Sequence, residues 1–446
     1  MPAPSANGSA PPRVAVVLPG GGARGAYEVG ALSVLLPILE ERGERPTIFC
    51  GTSVGAINAA ALGATADRPA VAVVEDLVRR WSALRKGDVI RPVVGLGLPL
   101  TVLRMLGEAL EVPGVRLAGL LDPAPLKASV DRWIDWDALH RNVRHGVVDA
   151  VCVVATSLAR SGPVGFVDTS GPMPHSRETD PLQYVAAILD DTHVRASAAI
   201  PVLFPPVAIE HPAAWAGHYV DGGTRLNSPV APALALGADR VIVIGFQPFR
   251  SRIDAAPGDA PPGLPRLADV AANIIDGLLV DQVVDDLHRL ATVNSFLVDR
   301  GAPAGTTRSS DAYRAARGRQ PYRRIPYALV APERRGDLAS IADDVFERRH
   351  AGLQGLLRPD YPFMSRLLGG GRSPARGELL SFLLFDEEHV DALVELGRRD
   401  ANRWLDRHPG FWCSDAAHDF DIDAEMVASV REREALDEWR GLRRRT

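Results

Sequence analysis

The stretch TIFCGTSVGAINAAALGA, residues 47–64, decides how the rest of this chain is read. It lies within residues 46–66, which carry no charge at all and are long enough, on length alone, for a membrane-spanning helix. Gly51, Thr52, Ser53, Gly55 and Asn58 stand in the middle, where a spanning helix would be continuously apolar. A short buried strand over 47–50, a glycine-bounded turn and an alanine-rich helix from about Val54 fit better. The turn Gly51-Thr-Ser53-Val-Gly55 matches G-x-S-x-G, in which a sharp strand-to-helix turn lifts a serine hydroxyl clear of the end of a sheet. A helix N-terminus beside that hydroxyl would stabilise negative charge developing there. The competing reading is a tight glycine turn with Ser53 as a helix cap.

Upstream, residues 13–19 (RVAVVLP) form a β-branched run that ends in glycines, and residues 26–41 follow with apolar side chains at helical spacing. Between them stands Gly20-Gly-Gly22-Ala-Arg24-Gly25, whose N–H groups are free to converge on an anion. The same residues match G-x-G-x-x-G, the fingerprint of a dinucleotide site with Glu40 or Glu41 as the ribose acid. Those acids fall at the end of a helix, and the next strand runs straight into the serine turn, which argues against a dinucleotide. Two adjacent parallel strands would instead bring the Gly20 loop beside Ser53 at the carboxyl edge of the sheet, where an oxyanion hole needs its donors. Arg24 has two readings, holding the glycine loop or contacting a phosphate.

Further buried runs at 147–156, 240–246 and 325–330 extend the alternation. It predicts an α/β fold with a mostly parallel central sheet flanked by helices on both faces. The expected organisation is a Pro/Ala/Ser/Gly-rich disordered tail over 1–12, one α/β domain over 13–331 and a helical C-terminal extension over 332–446. Residues 89–121 interrupt the alternation: they are apolar but broken by Pro92, Pro99 and Pro113, and they carry Arg91, Arg104 and Arg116. This insertion reads as a candidate lid facing a lipid surface, or equally as a helical hairpin packed on the sheet. Residues 250–266 and 301–320 read as surface loops.

The 446 residues are 46% apolar and 24% charged, enough to bury a sizeable core and too apolar for a disordered chain. A formal charge of -5 leaves no global positive field to gather nucleic acid. Cys50, Cys152 and Cys413 are far apart in sequence and odd in number, which predicts neither a disulfide framework nor a cysteine zinc site. The start lacks the basic and apolar blocks of a signal peptide, so a cytoplasmic protein with at most peripheral membrane contact is expected. The Arg440 to Arg445 cluster reads as a solvated helix end or as a contact for lipid headgroups.

A serine nucleophile needs a base, and no histidine stands in a distinctive motif. His211 and His218 bracket a Pro/Ala-rich loop, and His288, His389 and His408 lie on expected amphipathic helices. The informative acid is Asp221 in Tyr219-Val-Asp-Gly-Gly223, an apolar stretch ending in a carboxylate and two glycines, as at the tip of a strand entering a ligand site. An ordinary Asp-Gly turn is the alternative.

Together and in this order, GGGxRG, GxSxG and DGG resemble the patatin-like phospholipase family. Ala196-Ser-Ala-Ala-Ile-Pro201, Phe204-Pro-Pro206 and Asp221-Gly-Gly-Thr-Arg-Leu-Asn227-Ser-Pro229 are similar to the family's blocks around its catalytic Asp. LLSFLLFD from Leu379 and the GRRDA run at Gly397 to Ala401 are similar to the tail of its long bacterial members, with Arg399 replacing the usual aromatic before Asp400. The resemblance implies a lipid ester hydrolase with Ser53 as nucleophile and Asp221 as its only protein base. It further implies an oxyanion hole at Gly20, Gly21 and Gly22, with Arg24, Gly25, Gly51, Gly55, Gly222 and Gly223 as supporting motif residues. No metal or cofactor, calcium included, is expected. The partners expected are a lipid ester and a peripheral membrane surface, without nucleic acid. A soluble esterase or thioesterase, or a lipid-binding module with vestigial chemistry, remain the alternatives.

Overall fold

The computed structural model describes residues 11–89, 91–92, 121–201, 203–248, 290–291, 294, 312, 314–316, 323–350 and 374–413. The N-terminal tail up to residue 10, nearly all of the 89–121 insertion, the 250–266 loop, most of 301–320 and the terminal arginine cluster lie outside these residues.

Among the described residues nine strands form one sheet: β1 (Val14–Leu18), β2 (Pro46–Thr52), β3 (Ala150–Ser157), β4 (Gly162–Thr169), β5 (Gln183–Ala186), β6 (Val207–Ile209), β7 (Gly217–Asp221), β8 (Arg240–Ile244) and β9 (Tyr327–Val330). Their order is β9-β8-β1-β2-β3-β4-β5, with β7 pairing β3 and β6 pairing β7. Pairings from β9 across to β3 are all parallel, whereas β4 and β7 run antiparallel to β3. The antiparallel strands escape the sequence pattern because β4 follows β3, and β7 follows β6, through short connections without an α-helix.

The β1 and β3 strands are buried along their whole length, as expected of strands covered on both faces. Two helices follow the first two strands: α1 (Gly25–Glu41) and α2 (Val54–Ala64). Every residue of α2 is buried, packed against the sheet and neighbouring helices. That position accounts for the uncharged stretch, since a helix apolar all round belongs in the middle of a core as much as in a bilayer. Among the described residues no helix is long and apolar enough to cross a membrane.

Next come α3 (Ala70–Ala83), α4 (Ala124–Trp133), α5 (Trp136–Arg144), α6 (Asp191–Ser197), α7 (Val230–Ala235), α8 (Asp337–His350), α9 (Pro374–Leu383) and α10 (Glu387–Arg407). The last of these, α10, crosses α1 closely. A Cβ on Gly30 would lie 2.2 Å from the Val394 carbonyl, and one on Gly397 would lie 2.2 Å from the Tyr27 carbonyl, so only glycine fits on either side. The Tyr27 hydroxyl donates to Asp400 Oδ2 at 3.0 Å, and Arg403 stands 2.9 Å from Oδ1. Burial raises the Asp400 pKa, and the Tyr27 and Arg403 contacts oppose that shift. Val390, Leu393 and Val394 of α10 share one apolar core with β1, α1 and α2.

Cys50 and Cys152, distant in sequence, are register partners on β2 and β3. Both are buried free thiols, and burial pushes the Cys50 thiol up.

Candidate active site

The β3 strand has two neighbours along one edge. Residues 48–52 of β2 run parallel to it as far as Thr52, which pairs with Val154. The next position, Ala155, pairs with Asp221 at the end of antiparallel β7. Two strands therefore occupy one lane and run toward each other, so the chain leaving β2 at Ser53 meets the chain leaving β7 at Asp221. On the other side of β2, Leu18 of β1 pairs with Gly51, which brings the Gly20 loop to the same carboxyl edge. Three motifs separated by as much as two hundred residues converge through strand register alone.

Ser53 sits at φ 54 and ψ -123, a region that side-chain-bearing residues rarely occupy. Its N–H donates to Ser197 Oγ at 2.8 Å, and the Ser197 hydroxyl donates in turn to the Val154 carbonyl at 2.5 Å. Ser197, at the end of α6, thereby braces the strained turn against β3. The turn is also closed sterically: a Cβ on Gly51 would meet the Gly55 carbonyl at 2.2 Å, and one on Gly55 would meet the Leu18 carbonyl at 2.2 Å. The first turn of α2 starts directly on the serine, where Ala56 N–H donates to the Ser53 carbonyl at 3.0 Å.

Asp221 is fully buried. Its Oδ1 accepts the Gly223 N–H at 2.7 Å, while Oδ2 has no hydrogen-bond partner among the described residues. Desolvation pushes its pKa up to about 7, against smaller lowering effects of the nearby Ser53 side chain and the Gly223 N–H. The Ser53 side chain therefore lies close enough to the Asp221 carboxylate to favour its charged form. Gly222 gives the turn its clearance, since a Cβ there would lie 2.2 Å from the Val154 carbonyl. No histidine among the described residues lines the pocket above Ser53 or bonds to Ser53 or Asp221.

The glycine loop differs from expectation at one position. Gly20 N–H donates to Asn227 Oδ1 at 2.9 Å, so that amide anchors the loop instead of offering a free donor. A side chain at Gly20 would collide with both Asn227 Oδ1 and the Ser53 Cβ, which places the loop against the serine. The Gly21 and Gly22 N–H groups have no acceptor among the described residues. Gly22, at φ 57, lines the same pocket as Ser53.

Arg24 does not line that pocket. It is fully buried, and its guanidinium donates to Ser381 Oγ at 2.8 and 2.6 Å, to the Glu378 carbonyl at 3.1 Å and to the Glu378 carboxylate. The loop-holding reading of this residue fits these contacts, and the phosphate reading has no support in them. Gly25 packs against Val54 and Trp81, where a Cβ would approach to 2.5 Å.

The pocket is partly open to solvent, and its space together with that open part amounts to about 640 Å³. Apart from the Ser53 and Ser129 hydroxyls its side chains are apolar, with Trp81, Trp133, Leu126 and Phe204 among them. Trp81 and Trp133 meet edge to face at 5.6 Å, and Trp81 Nε1 donates to Asn58 Oδ1 at 3.1 Å. Asn58 donates to Glu28 Oε2 at 2.7 Å, and burial pushes the Glu28 carboxyl well above its ordinary range.

A family model described as "Patatin-like phospholipase" matches residues 16–234. These residues belong to the patatin-like phospholipase family. The crystal structure of VipD from Legionella pneumophila is similar at 14% identity, covering 90% of this chain and 68% of that one, with a TM-score of 0.32. Human GIVD cytosolic phospholipase A2 in complex with methyl gamma-linolenyl fluorophosphonate is similar at 12% identity, covering 88% of this chain and 59% of that one, with a TM-score of 0.30. No curated protein sequence matches. The patatin-like domain over these residues supports a lipid acyl hydrolase in class.

Within this patatin-like domain, sequence reasoning missed three supports of the site. Asn227 was visible inside the DGGTRLNSP block and Ser197 inside ASAAIP, but nothing in either block says what its polar atom touches. The pairing of Asn58 with Trp81 carried no signal beyond a polar residue in an otherwise apolar helix.

Proposed function

We propose that this chain is a serine acyl hydrolase of phospholipids or related lipid esters, working through Ser53 and Asp221 without calcium. The observation that carries this reading is the shared lane on β3, which delivers a strained, pocket-facing serine and a desolvated carboxylate to one point.

A solvated aspartate is a poor base for a serine hydroxyl. With its pKa near 7, Asp221 is ionised in a large fraction of molecules at neutral pH and still basic enough to receive a proton. In the proposed sequence, the Asp221 carboxylate takes the Ser53 proton as Oγ attacks the ester carbonyl. The tetrahedral oxyanion is held by the Gly21 and Gly22 N–H groups, with the N-terminus of α2 adding to the local positive potential. Asp221 then gives its proton to the leaving alcohol, and an acyl group remains on Ser53. Water attacks that ester with Asp221 again as base, releasing the fatty acid and restoring the hydroxyl. Charge stabilisation and proton transfer are assigned to protein groups throughout, so turnover should persist in excess EDTA.

The apolar pocket above Ser53 suits an acyl chain better than a polar substrate. A fluorophosphonate probe tests the assignment. Labelling should occur on Ser53 and vanish in Ser53→Ala, together with release of fatty acid from phospholipid vesicles. Absence of labelling in folded wild type would overturn the reading in favour of a vestigial binding module, and cleavage of soluble esters but never of vesicles would favour the soluble esterase.

A further inference from the structure

The matched family region ends at residue 234, yet part of the pocket wall comes from more than 140 residues beyond it. Phe382 and Leu383 at the end of α9, and Phe385 just after it, line the cavity that opens on Ser53 and Gly22. We propose that this C-terminal segment is the acyl-selecting wall of the site, and that Leu383 and Phe385 are specificity-determining residues. The inference rests on the acyl hydrolase reading and names the part of the chain that chooses the acyl group.

The segment is fastened to the glycine loop at several atoms, so the wall is a fixed part of the site. The Phe382 carbonyl oxygen lies 2.3 Å from where a Gly22 Cβ would stand, so the two backbones touch. Arg24, three residues after Gly21, sends its buried guanidinium to Ser381 and Glu378 and lies 3.9 Å above the Phe382 ring. Moving α9 away would strand that cation in the apolar interior. Just beyond, His389 Nδ1 bonds to the Leu384 carbonyl at 2.7 Å and fixes the turn that carries Phe385. Burial pushes His389 down to about 4, so this bond is made by a neutral ring at ordinary pH, and its Nδ1 is the donor. The α10 helix then locks onto α1 through Tyr27 and Asp400.

Leu383 and Phe385 have no polar role in this arrangement: both are buried, and their side chains meet the cavity. An apolar wall discriminates acyl chains by the methylenes it covers, and one methylene in such a pocket changes kcat/KM by roughly tenfold or more. Selection therefore does not belong to the matched domain alone.

The test compares kcat/KM for p-nitrophenyl decanoate and p-nitrophenyl acetate in the full chain. Leu383→Trp fills the cavity, and Phe385→Ala strips contact from it. Each should lower the decanoate-to-acetate ratio of kcat/KM about tenfold or more, because decanoate needs the wall and acetate is too short to use it. Melting curves show whether each variant is folded. If Leu383→Trp does not fold, Phe385→Ala decides. A ratio within twofold of wild type in a folded variant overturns the inference alone, whereas wild type that cleaves neither ester and takes no label overturns it together with the hydrolase reading.

Discussion

Replacing Asp221 by asparagine should remove activity and, above neutral pH, make the protein more stable. Burial lifts this carboxyl from its ordinary 3.8 to about 7. A difference of one unit corresponds to about 1.36 kcal/mol, so the whole shift amounts to about 4 kcal/mol. The sign follows from proton counting. Between about pH 4 and pH 7 the folded state keeps a proton that the unfolded chain has released, so stability falls as pH rises through that window, and the full loss is present above 7. Asparagine is neutral throughout. Its carbonyl can keep the Gly223 N–H, and its amide nitrogen replaces an oxygen that already lacks a partner. An unpaired buried N–H costs about 1–3 kcal/mol, but equally at every pH. The pH-dependent part is therefore diagnostic: from pH 5 to pH 8.5 the stability of Asp221→Asn relative to wild type should improve by about 2–3 kcal/mol. Urea titrations of both proteins at the two pH values measure it. A stability difference that stays constant within about 0.5 kcal/mol would refute a desolvated Asp221 and the base strength assigned to it. In the same pH series, wild-type kcat/KM should rise about tenfold per unit below 7 and level off above it, as expected for a base that must be ionised.

Ser53→Gly should be inactive yet more stable by about 1 kcal/mol, because relief of about 1–3 kcal/mol of backbone strain outweighs the extra unfolded-state entropy of glycine; a melting temperature below wild type would refute strain at the turn. Asn227→Ala frees the Gly20 N–H and loosens the loop, so kcat should fall about 10–100-fold with KM within twofold, and Asn227→Asp, which retains the acceptor, should recover most of the loss. Equal KM and kcat effects would point to general destabilisation instead. Gly222→Ala drives a Cβ into the Val154 carbonyl, so β7 cannot keep its register on β3; soluble protein with wild-type melting and activity would contradict that register.

How much of this was legible in the sequence depends on how far each contact reaches along the chain. The turn around Ser53 is local: Gly51 and Gly55 are needed by backbone atoms of the same turn and of the neighbouring β1 strand, so the pattern carries its own structural meaning. Asp221 could be read as a strand tip for the same reason, since Tyr219, Val220 and the two glycines describe the end of β7 without reference to anything else. The Gly20 loop was legible in place but not in detail. Three glycines announce free N–H groups, yet which of them stays free is decided by Asn227, two hundred residues away. The Cys50 and Cys152 pairing was hidden by the same separation.

The uncharged stretch shows why hydropathy alone misleads here. Little of α2 meets solvent, because β1, β2 and β3 pack on it together with α1, α5 and α6, and the only polar side chain it carries, Asn58, is paired with Glu28 and Trp81. A segment can lack charge because lipid surrounds it or because protein does, and composition cannot separate the two. What separates them is the Gly-x-Ser-x-Gly turn at its head: a bend that leaves a serine hydroxyl facing a pocket has a use at the edge of a sheet and none inside a bilayer. The same logic explains why the C-terminal wall was invisible. By composition LLSFLLFD is a buried helix end, and its likeness to the tail of long family members does not say what it covers; its contact with Gly22 and Arg24 and its place in the pocket wall put Phe382, Leu383 and Phe385 beside the proposed site. Apolar residues state that they will be covered, but the identity of the cover, whether core, lipid or substrate, is fixed by the residues they meet.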